Sequence, residues 1–395
     1  MFKLINNEMR KLIRRTKTLV VFVCFIALVG LVCYGSYKND QNNQKYQSTE
    51  YQIQNMEESV SYMKNDLTRA GITEEEKKSI EQNITQTEEQ IAKLKAEKDK
   101  PYDYKEDLNN QIKGVDAAIS KTVNEDDKKD LQLQKERLQK QLDLGISPKD
   151  EGKLNGLSYI NELVMILGAI FLAAGIAVFS SDMVSGEYTP ATMKFLLIQP
   201  VSRGKVLFAK YITILVSVLA AIFSVEGLSY LLMGIKYGFG NSSNPVITGA
   251  KYMFDLSKTE NGVHPMKVVP GSQYLSTTGS VTLKVLLFQI LFMVAVVSFV
   301  FMISTVVKSS MVAMAVSTIV IITLSIVQNI PGTSKLAPYF FTLYGDASGL
   351  LNGQMAQGLQ MPKLTPALGI TVLLVWTVVS YLIAHVVFVK KDILI

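Results

Sequence analysis

Residues Ser181–Lys210 read SDMVSGEYTPATMKFLLIQPVSRGKVLFAK, a polar stretch that separates two long apolar segments. Gly186 and Pro190 break the first helix, and proline suits the first turn of a new helix because its missing N–H costs nothing there. The sequence therefore predicts a short amphipathic helix over Ala191–Ile198 that ends before Pro200. Such a helix between two membrane spans can lie along the membrane and present its apolar face to a soluble partner.

The composition is that of a membrane protein. The chain has 395 residues, of which 48% are hydrophobic, and its mean hydropathy is +0.23. Several uninterrupted apolar runs are long enough to cross about 30 Å of hydrocarbon. The net charge of +6 is modest, and no basic patch with interleaved aromatic residues points to nucleic acid. Cys24 and Cys33 both lie in the first apolar run, so the long polar loop that follows has no disulfide framework.

Residues 1–17 have the pattern of an amphipathic helix that lies at the membrane surface. Apolar side chains recur on one helical face, and the positive charges are typical of an anchor on anionic membrane lipid. The predicted anchor residues are Arg10, Lys11, Arg14 and Arg15. By the positive-inside rule this charge places the N-terminus in the cytoplasm. A signal peptide is the alternative, which we disfavour because no small-residue cleavage site follows.

The apolar runs predict an all-α polytopic membrane protein with six transmembrane helices and both termini in the cytoplasm. The predicted spans are residues 18–37, 159–180, 206–233, 281–307, 311–330 and 366–389. The extracytoplasmic segments are then 38–158, 234–280 and 331–365, and the cytoplasmic ones are 181–205 and the tail 390–395. Every short cytoplasmic loop is basic, as the positive-inside rule requires. Leu336–Phe341 is too apolar for a free loop, so the last extracytoplasmic segment is expected to be re-entrant.

The extracytoplasmic insert 38–158 has a helical pattern of its own. Its apolar residues are spaced three and four apart, which is typical of a heptad seam. Breaks in this pattern predict two helical hairpins of coiled-coil type, at residues 45–99 and 102–144. Thr73 and Asn124 each precede an acidic first turn and are predicted to cap a helix. The alternative is a charged loop that is partly disordered.

The 181–210 stretch resembles the coupling segment of ABC-2 type transporter permeases. In that family an acidic residue precedes Gly-Thr-x-Lys, Leu-Leu and Pro-x-Ser-Arg, and a lysine follows a few residues into the next span. The matching residues are Glu187, Thr192, Lys194, Leu196, Leu197, Pro200, Ser202, Arg203 and Lys210. Ala191 departs from the pattern, because the family often has glycine there. The resemblance covers the membrane part of the chain, and the extracytoplasmic insert is not part of the minimal family pattern.

The resemblance implies the permease subunit of an ATP-driven ABC-2 exporter in the bacterial cytoplasmic membrane. The coupling residues would contact a separate ATPase, present in two copies, and a second permease, identical or related, would complete the path. The cargo would be hydrophobic, peptide-like or lipid-like. The chain lacks a phosphate-binding loop, since Gly204–Lys205 has no upstream glycine, so ATP and Mg are assigned to the partner and no cofactor to this chain. His264 and His385 are isolated, and neither a metal site nor a catalytic residue is predicted.

Two polar residues lie inside predicted spans, where they are costly and often functional. Glu226 in the third span and Gln289 in the fourth are candidates for the translocation path, with interhelical hydrogen bonding as the alternative. Two other functions stay open. One is a mechanotransmitting ABC membrane subunit that drives an extracytoplasmic stalk, although such proteins usually have four spans. The other is a membrane-anchored helical scaffold that binds an outside partner, which would not explain the coupling segment.

Overall fold

The computed structural model describes residues 1–69, 71–98, 102–188, 201–259, 264–330 and 335–390. Helices dominate these residues. The α-helices are α1 (Phe2–Ile13), α2 (Thr16–Gln47), α3 (Thr49–Asp66), α4 (Glu74–Lys98), α5 (Tyr104–Lys121), α6 (Glu125–Leu144), α7 (Gly156–Ala169), α8 (Phe171–Ser180), α9 (Arg203–Tyr237), α10 (Thr278–Val306), α11 (Ser310–Val327), α12 (Ala347–Leu351), α13 (Gln354–Gly358) and α14 (Pro366–Lys390). Short 3-10 helices lie at Pro148–Asp150, Ser185–Tyr188, Ala337–Tyr339 and Phe341–Gly345.

Short strands accompany the helices, which the all-α prediction did not include. They are β1 (Pro245–Thr248), β2 (Tyr252–Phe254), β3 (Met266–Val268) and β4 (Tyr274–Thr277). β1 pairs with β4 and β2 pairs with β3, both antiparallel. With only three or four residues each, these strands are too short for alternating hydrophobicity to reveal them in a loop rich in glycine and serine.

Five of the described helices are long and apolar enough to cross a membrane, namely α2, α9, α10, α11 and α14. α7 and α8 pass the same test together but are bent by 63°, so the number of spans becomes six if this pair crosses as one. The chain is therefore a mainly helical integral membrane protein. The layout of six spans stays a prediction, as does the side of the membrane on which each loop lies.

Residues Tyr34–Asn109 form a compact unit of their own. Within it α3 and α4 pack against each other, and the ion pairs Lys64–Glu88 (2.7 Å) and Lys95–Glu57 (2.6 Å) join them in antiparallel order. The buried core of the pair belongs to the predicted seam and consists of Ile53, Val60, Ile84 and Ile91. The seam therefore identified the packing face of this hairpin correctly.

The predicted helix caps are present. The Thr73 hydroxyl accepts a hydrogen bond from the Glu76 backbone N–H (3.3 Å), and the Glu76 carboxylate accepts one from the Thr73 backbone N–H (2.9 Å). These Thr73 hydrogen bonds hold the pKa of Glu76 below its usual range. At the start of α6, the Asn124 side chain accepts from the Asp126 backbone N–H (2.9 Å). Both helices thus begin where the capping pattern places them.

The second helix pair of the insert is less self-contained than the sequence predicts. α5 and α6 are joined by the ion pair of Lys135 with Asp116 (2.6 Å), but α6 also packs against β1 and β4. Gln141 of α6, which is 1% exposed, donates to the Asn244 side-chain oxygen beside β1 (3.4 Å). α6 therefore belongs to the same compact unit as the membrane helices, Met1–Cys33 with Asn110–Ile395.

α10 lies at the centre of the membrane helices. The most apolar part of α10 is 61% buried, and the helix packs against α7, α8, α9, α11 and α14. The corresponding part of α2 is only 11% buried, which leaves most of its apolar surface open to lipid. We call the end of this bundle that holds α1 and Ser185–Tyr188 the basal end, and the end that holds β1 and β4 the distal end.

Residues 337–358 fold back into the distal end of the bundle. Phe341 and Tyr344 are fully buried, and the Trp376 indole N–H of α14 donates to the Tyr339 carbonyl oxygen (2.9 Å). This burial accounts for the apolar composition of the segment, which is incompatible with a solvated loop.

The same segment touches α7 through two glycines. A Cβ atom on Gly168 would overlap the carbonyl oxygen of Gly345, and a Cβ atom on Gly345 would overlap that of Gly168. Two residues after Gly168, Ile170 has φ −145° and ψ −38°, which ends α7 and separates it from α8. The contact therefore lies where the α7–α8 pair bends.

Candidate functional site

At the basal end, α1, the 3-10 helix Ser185–Tyr188 and α9 meet at a buried group of charges. We call this group, Lys210 with Glu8, Glu187 and Lys11, the Lys210 cluster. Lys210 is 0% exposed, and its Nζ donates to Glu8 Oε2 (2.7 Å) and to Glu187 Oε1 (2.8 Å). Both carboxylates are buried as well. Because buried charges persist only when they are paired, Lys210 ties α1 and the 3-10 helix to the start of α9.

Lys11 completes the charge balance of the cluster. Its Nζ lies 3.4 Å from Glu8 Oε1 and 3.6 Å from Glu187 Oε1, and its side chain is 48% exposed. Two cations thus face two carboxylates. Glu8 and Lys11 are three residues apart on α1, a spacing that places both on one helical face. Since Lys11 reaches water and Lys210 does not, the fold depends more strongly on the pairing of Lys210.

A second set of ion pairs fixes the joint between α1 and α2. Asp182, just after α8, pairs with Arg15 (3.3 Å) and with Lys17 (3.2 Å). Lys17 Nζ also lies 3.4 Å from the Ser181 hydroxyl, to which it donates. The N-terminal helix is therefore held to the end of α8 as well as to α9.

Backbone groups that the end of α8 leaves free are satisfied by α10. The Ser304 hydroxyl oxygen accepts hydrogen bonds from the backbone N–H groups of Val184 and Ser185, both at 3.1 Å. The Ser304 hydroxyl in turn donates to the Ser185 hydroxyl oxygen (3.3 Å). All of these groups are buried, so the bonds are needed to keep a non-helical backbone inside the bundle.

The structure describes only the flanks of the predicted coupling segment. Outside the described residues lie Thr192, Lys194, Leu196, Leu197 and Pro200. Ser202 is exposed directly before α9, and Arg203 donates from Nη1 to the Val389 carbonyl oxygen of α14 (3.3 Å). Both flanks therefore lie at the basal end and are bonded to membrane helices.

The burial of Glu187 contradicts the expectation that this coupling residue faces solvent. A residue that faces a cytosolic partner should be solvent-exposed in the lone subunit, whereas Glu187 is 3% exposed and bonded to Lys210. The physical reason is that the buried Lys210 ammonium requires anionic partners, and Glu187 is one of the two that reach it. Charge reversal at Glu187 would therefore damage the fold and cannot serve as a test of partner contact.

The four predicted membrane anchors divide into two pairs. Arg10 and Arg14 are exposed, as an anchor on lipid requires. Lys11 and Arg15 instead bind carboxylates of this chain. The basic face of α1 therefore holds the helix to the bundle in addition to any contact with lipid.

The structure brings Glu226 and Gln289 together. Gln289 Nε2 of α10 donates to Glu226 Oε1 of α9 (2.7 Å), and both residues are buried. Each lies eleven residues from the distal end of its helix, a distance of about 17 Å. The second oxygens, Glu226 Oε2 and Gln289 Oε1, have no hydrogen-bond partner in the described part of the chain, which is uncommon for buried polar atoms.

The described residues give little indication of metal binding or of cysteine chemistry. Among them, no group of three or more His, Cys, Asp or Glu side chains is placed to hold a metal ion. Cys33 Sγ lies 2.9 Å from the Tyr159 hydroxyl, with which it shares a hydrogen bond, and Cys24 is exposed on α2.

Sequence reasoning missed Glu8, Asp182 and Ser304. Glu8 is the only acidic residue among the first seventeen, which otherwise carry positive charge. An isolated acid in a basic helix was a usable signal of a specific partner. Ser304 gave no such signal, because a serine near the end of an apolar helix is ordinary.

Comparison with known proteins gives one result that covers almost the whole chain. The family model described as ABC-2 family transporter protein matches residues 2–393. No curated protein matches the chain. The match includes α1, the Lys210 cluster and both flanks of the predicted coupling segment, and it also includes the insert between α2 and α7.

Proposed function

Because this chain belongs to the ABC-2 transporter family, we propose that it is the permease subunit of an ATP-driven exporter. A separate ABC ATPase, in two copies, binds ATP and Mg and docks on residues 181–205. A second permease, identical or related, completes the translocation path. The observation that carries the proposal is the Lys210 cluster, which bonds Glu187, on the N-terminal side of the predicted coupling helix, to α9 on its C-terminal side.

The contacts at the basal end support a mechanical role for this segment. A displacement of residues 189–200 pulls on Glu187 at one flank and on Arg203 at the other. Glu187 is bonded to α9 through Lys210, and the backbone at Val184 is bonded to α10 through Ser304. Because these links are buried, they resist local rearrangement, so α8, α9 and α10 move with the coupling segment.

The buried pair of Glu226 and Gln289 supports a polar element in the path. Two oxygens of the pair are open acceptors, so a cargo group with N–H or O–H donors can bind them when the helices separate. Most of the buried side chains of the bundle are apolar, which agrees with a hydrophobic, peptide-like or lipid-like cargo, as family membership suggests. We place the protein in the bacterial cytoplasmic membrane, with the basal end and both termini in the cytoplasm.

The proposed topology predicts opposite accessibility for two single cysteines in a background without Cys24 and Cys33. Ser120→Cys, in the insert, should react with a membrane-impermeant maleimide on intact cells. Ser202→Cys, at the basal end, should react only after the membrane is permeabilised. Both serines are exposed, so accessibility to the reagent depends on the side of the membrane. Equal labelling of the two positions on intact cells would contradict the topology.

Docking of the ATPase is tested with Leu197→Asp. Leu197 is predicted to lie on the apolar face of the coupling helix, so a carboxylate there should abolish co-purification of the ATPase subunit in mild detergent. The matched control is Leu256→Asp, the same substitution at a leucine that is 76% exposed at the distal end. The control should keep the ATPase bound. Retention of the ATPase by Leu197→Asp would overturn the proposed docking site.

A further inference from the structure

An apolar cavity of about 360 Å³ lies between α2, α8 and α9. Among the residues that the structure describes, no charged side chain lines it. Its deepest wall includes Leu172, Ile176 and Val218, each 3% exposed, whereas Val20 and Phe171 at its mouth are 51% and 52% exposed. The cavity therefore opens sideways, toward the lipid that surrounds the poorly buried helix α2.

The length of the cavity matches one leaflet of a bilayer. On α2 the lining residues run from Val20 to Leu28, and on α8 they run from Phe171 to Phe179. Each stretch is about 12 Å of helix, close to the ~15 Å hydrocarbon thickness of a single leaflet. Both stretches lie in the basal half of the bundle, because α2 begins and α8 ends at the basal end.

Both walls of the cavity end at the same group of charges. Lys17 lies one helical turn before Val20 on α2, and its Nζ reaches the Ser181 hydroxyl, two residues after Phe179 (3.4 Å). Beside Lys17, Arg15 shares the carboxylate of Asp182 with it, and Arg14 is exposed. Arg15 and Lys17 thus share a single carboxylate, and the exposed Arg14 directly before Arg15 adds a third cation to this stretch of the chain. This stretch therefore carries more positive than negative charge.

We propose that this cavity binds one acyl chain of an anionic phospholipid from the basal leaflet, with the phosphate at Arg14, Arg15 and Lys17. The apolar walls have the length and chemistry for the chain, and the basic stretch has the charge for the headgroup. Basic residues at a membrane surface attract anionic lipid more strongly than zwitterionic lipid. The occupant is therefore distinguished from ordinary surrounding lipid by headgroup as well as by position.

Gly175 supplies a variant that blocks the cavity. It lines the cavity, and a Cβ atom on it meets nothing within 4 Å, so Gly175→Phe should fill the space without disturbing the backbone. Gly227 of α9 also has open space around a Cβ atom but lies outside the lining, which makes Gly227→Phe the matched control. Gly175→Leu places a smaller side chain in the cavity and replaces Gly175→Phe in the experiment if the phenylalanine variant does not insert into the membrane.

The experiment uses the full chain in nanodiscs that contain phosphatidylglycerol with a photoactivatable diazirine in one acyl chain. Crosslinks mapped by mass spectrometry should concentrate on the deep wall of α8 and α9. They should be lost from this wall in Gly175→Phe and kept in Gly227→Phe. Labelling that is spread evenly over α2 and unchanged in Gly175→Phe and Gly175→Leu would overturn the proposal.

The headgroup is tested separately with phosphatidylcholine that carries the same labelled chain. We expect this lipid to label the deep wall more weakly than phosphatidylglycerol does. The ratio of labelling by phosphatidylglycerol to labelling by phosphatidylcholine should fall about fivefold in Arg14→Gln, and by a similar factor in Lys17→Gln. Equal labelling from the two lipids would overturn the anionic assignment. No ATPase is present in these experiments, so a negative result leaves the proposed permease function standing.

Discussion

Lys210→Met is expected to destabilise the folded protein by several kcal/mol and to lower its unfolding temperature in detergent markedly. Methionine fills a similar volume, but it removes the buried ammonium that is bonded to the carboxylates of Glu8 and Glu187. The cation of the cluster that stays beside these carboxylates, Lys11, is half-exposed. Removal of one member of a buried ion pair typically costs about 3–5 kcal/mol, because the remaining charge stays desolvated. The loss is measured as the fraction of monodisperse protein that survives heating, by size-exclusion chromatography.

Two further variants separate the charge effect from other effects of substitution. Lys205→Met, at an exposed position of the same helix, should leave the unfolding temperature nearly unchanged. The triple variant Glu8→Gln, Glu187→Gln and Lys210→Met removes every buried charge of the cluster and should recover most of the lost stability. If Lys210→Met unfolds at the same temperature as Lys205→Met, the cluster does not stabilise the fold and the mechanical role proposed for it fails.

The apolar runs coincide with the long apolar helices because hydropathy over about twenty residues depends on composition alone. The exception is the predicted span 159–180, which is divided between α7 and α8. The predicted span 366–389 agrees closely with α14 (Pro366–Lys390), and 281–307 agrees with α10 (Thr278–Val306). The first span illustrates the limit, since α2 continues to Gln47, ten residues beyond the predicted end of the apolar run. Hydropathy indicates where the lipid-compatible surface of a helix ends. The helix itself ends only where its backbone hydrogen bonds end.

The site was less accessible to sequence reasoning because its contacts join distant parts of the chain. Lys210 and Glu8 are 202 residues apart, and no local pattern relates them. The sequence indicates Lys210 only as part of a family motif and gives no partner for it. The Ser304 bonds are a similar case, because they depend on where α10 passes the end of α8. Periodicity identifies faces of single helices, and it does not say which faces meet.

The contact of Gly168 with Gly345 leads to the second large expected effect. Gly345→Ala should lower the unfolding temperature strongly, because its Cβ atom would overlap the Gly168 carbonyl oxygen. Overpacking by one methyl group typically costs about 1–3 kcal/mol when side chains can adjust. Here the obstacle is backbone, which has no alternative rotamer, so the cost should lie at the upper end of that range. Gly168→Ala should behave in the same way, since the overlap is reciprocal.

Gly227→Ala is the matched control, and its effect should have the opposite sign. Gly227 lies inside α9, and a Cβ atom there meets nothing within 4 Å. Alanine favours a helix interior over glycine by about 1 kcal/mol, so the control should unfold at the wild-type temperature or slightly above it. If Gly345→Ala and Gly227→Ala unfold at the same temperature, the backbone contact is absent. The segment Phe341–Gly345 would then not be seated against α7.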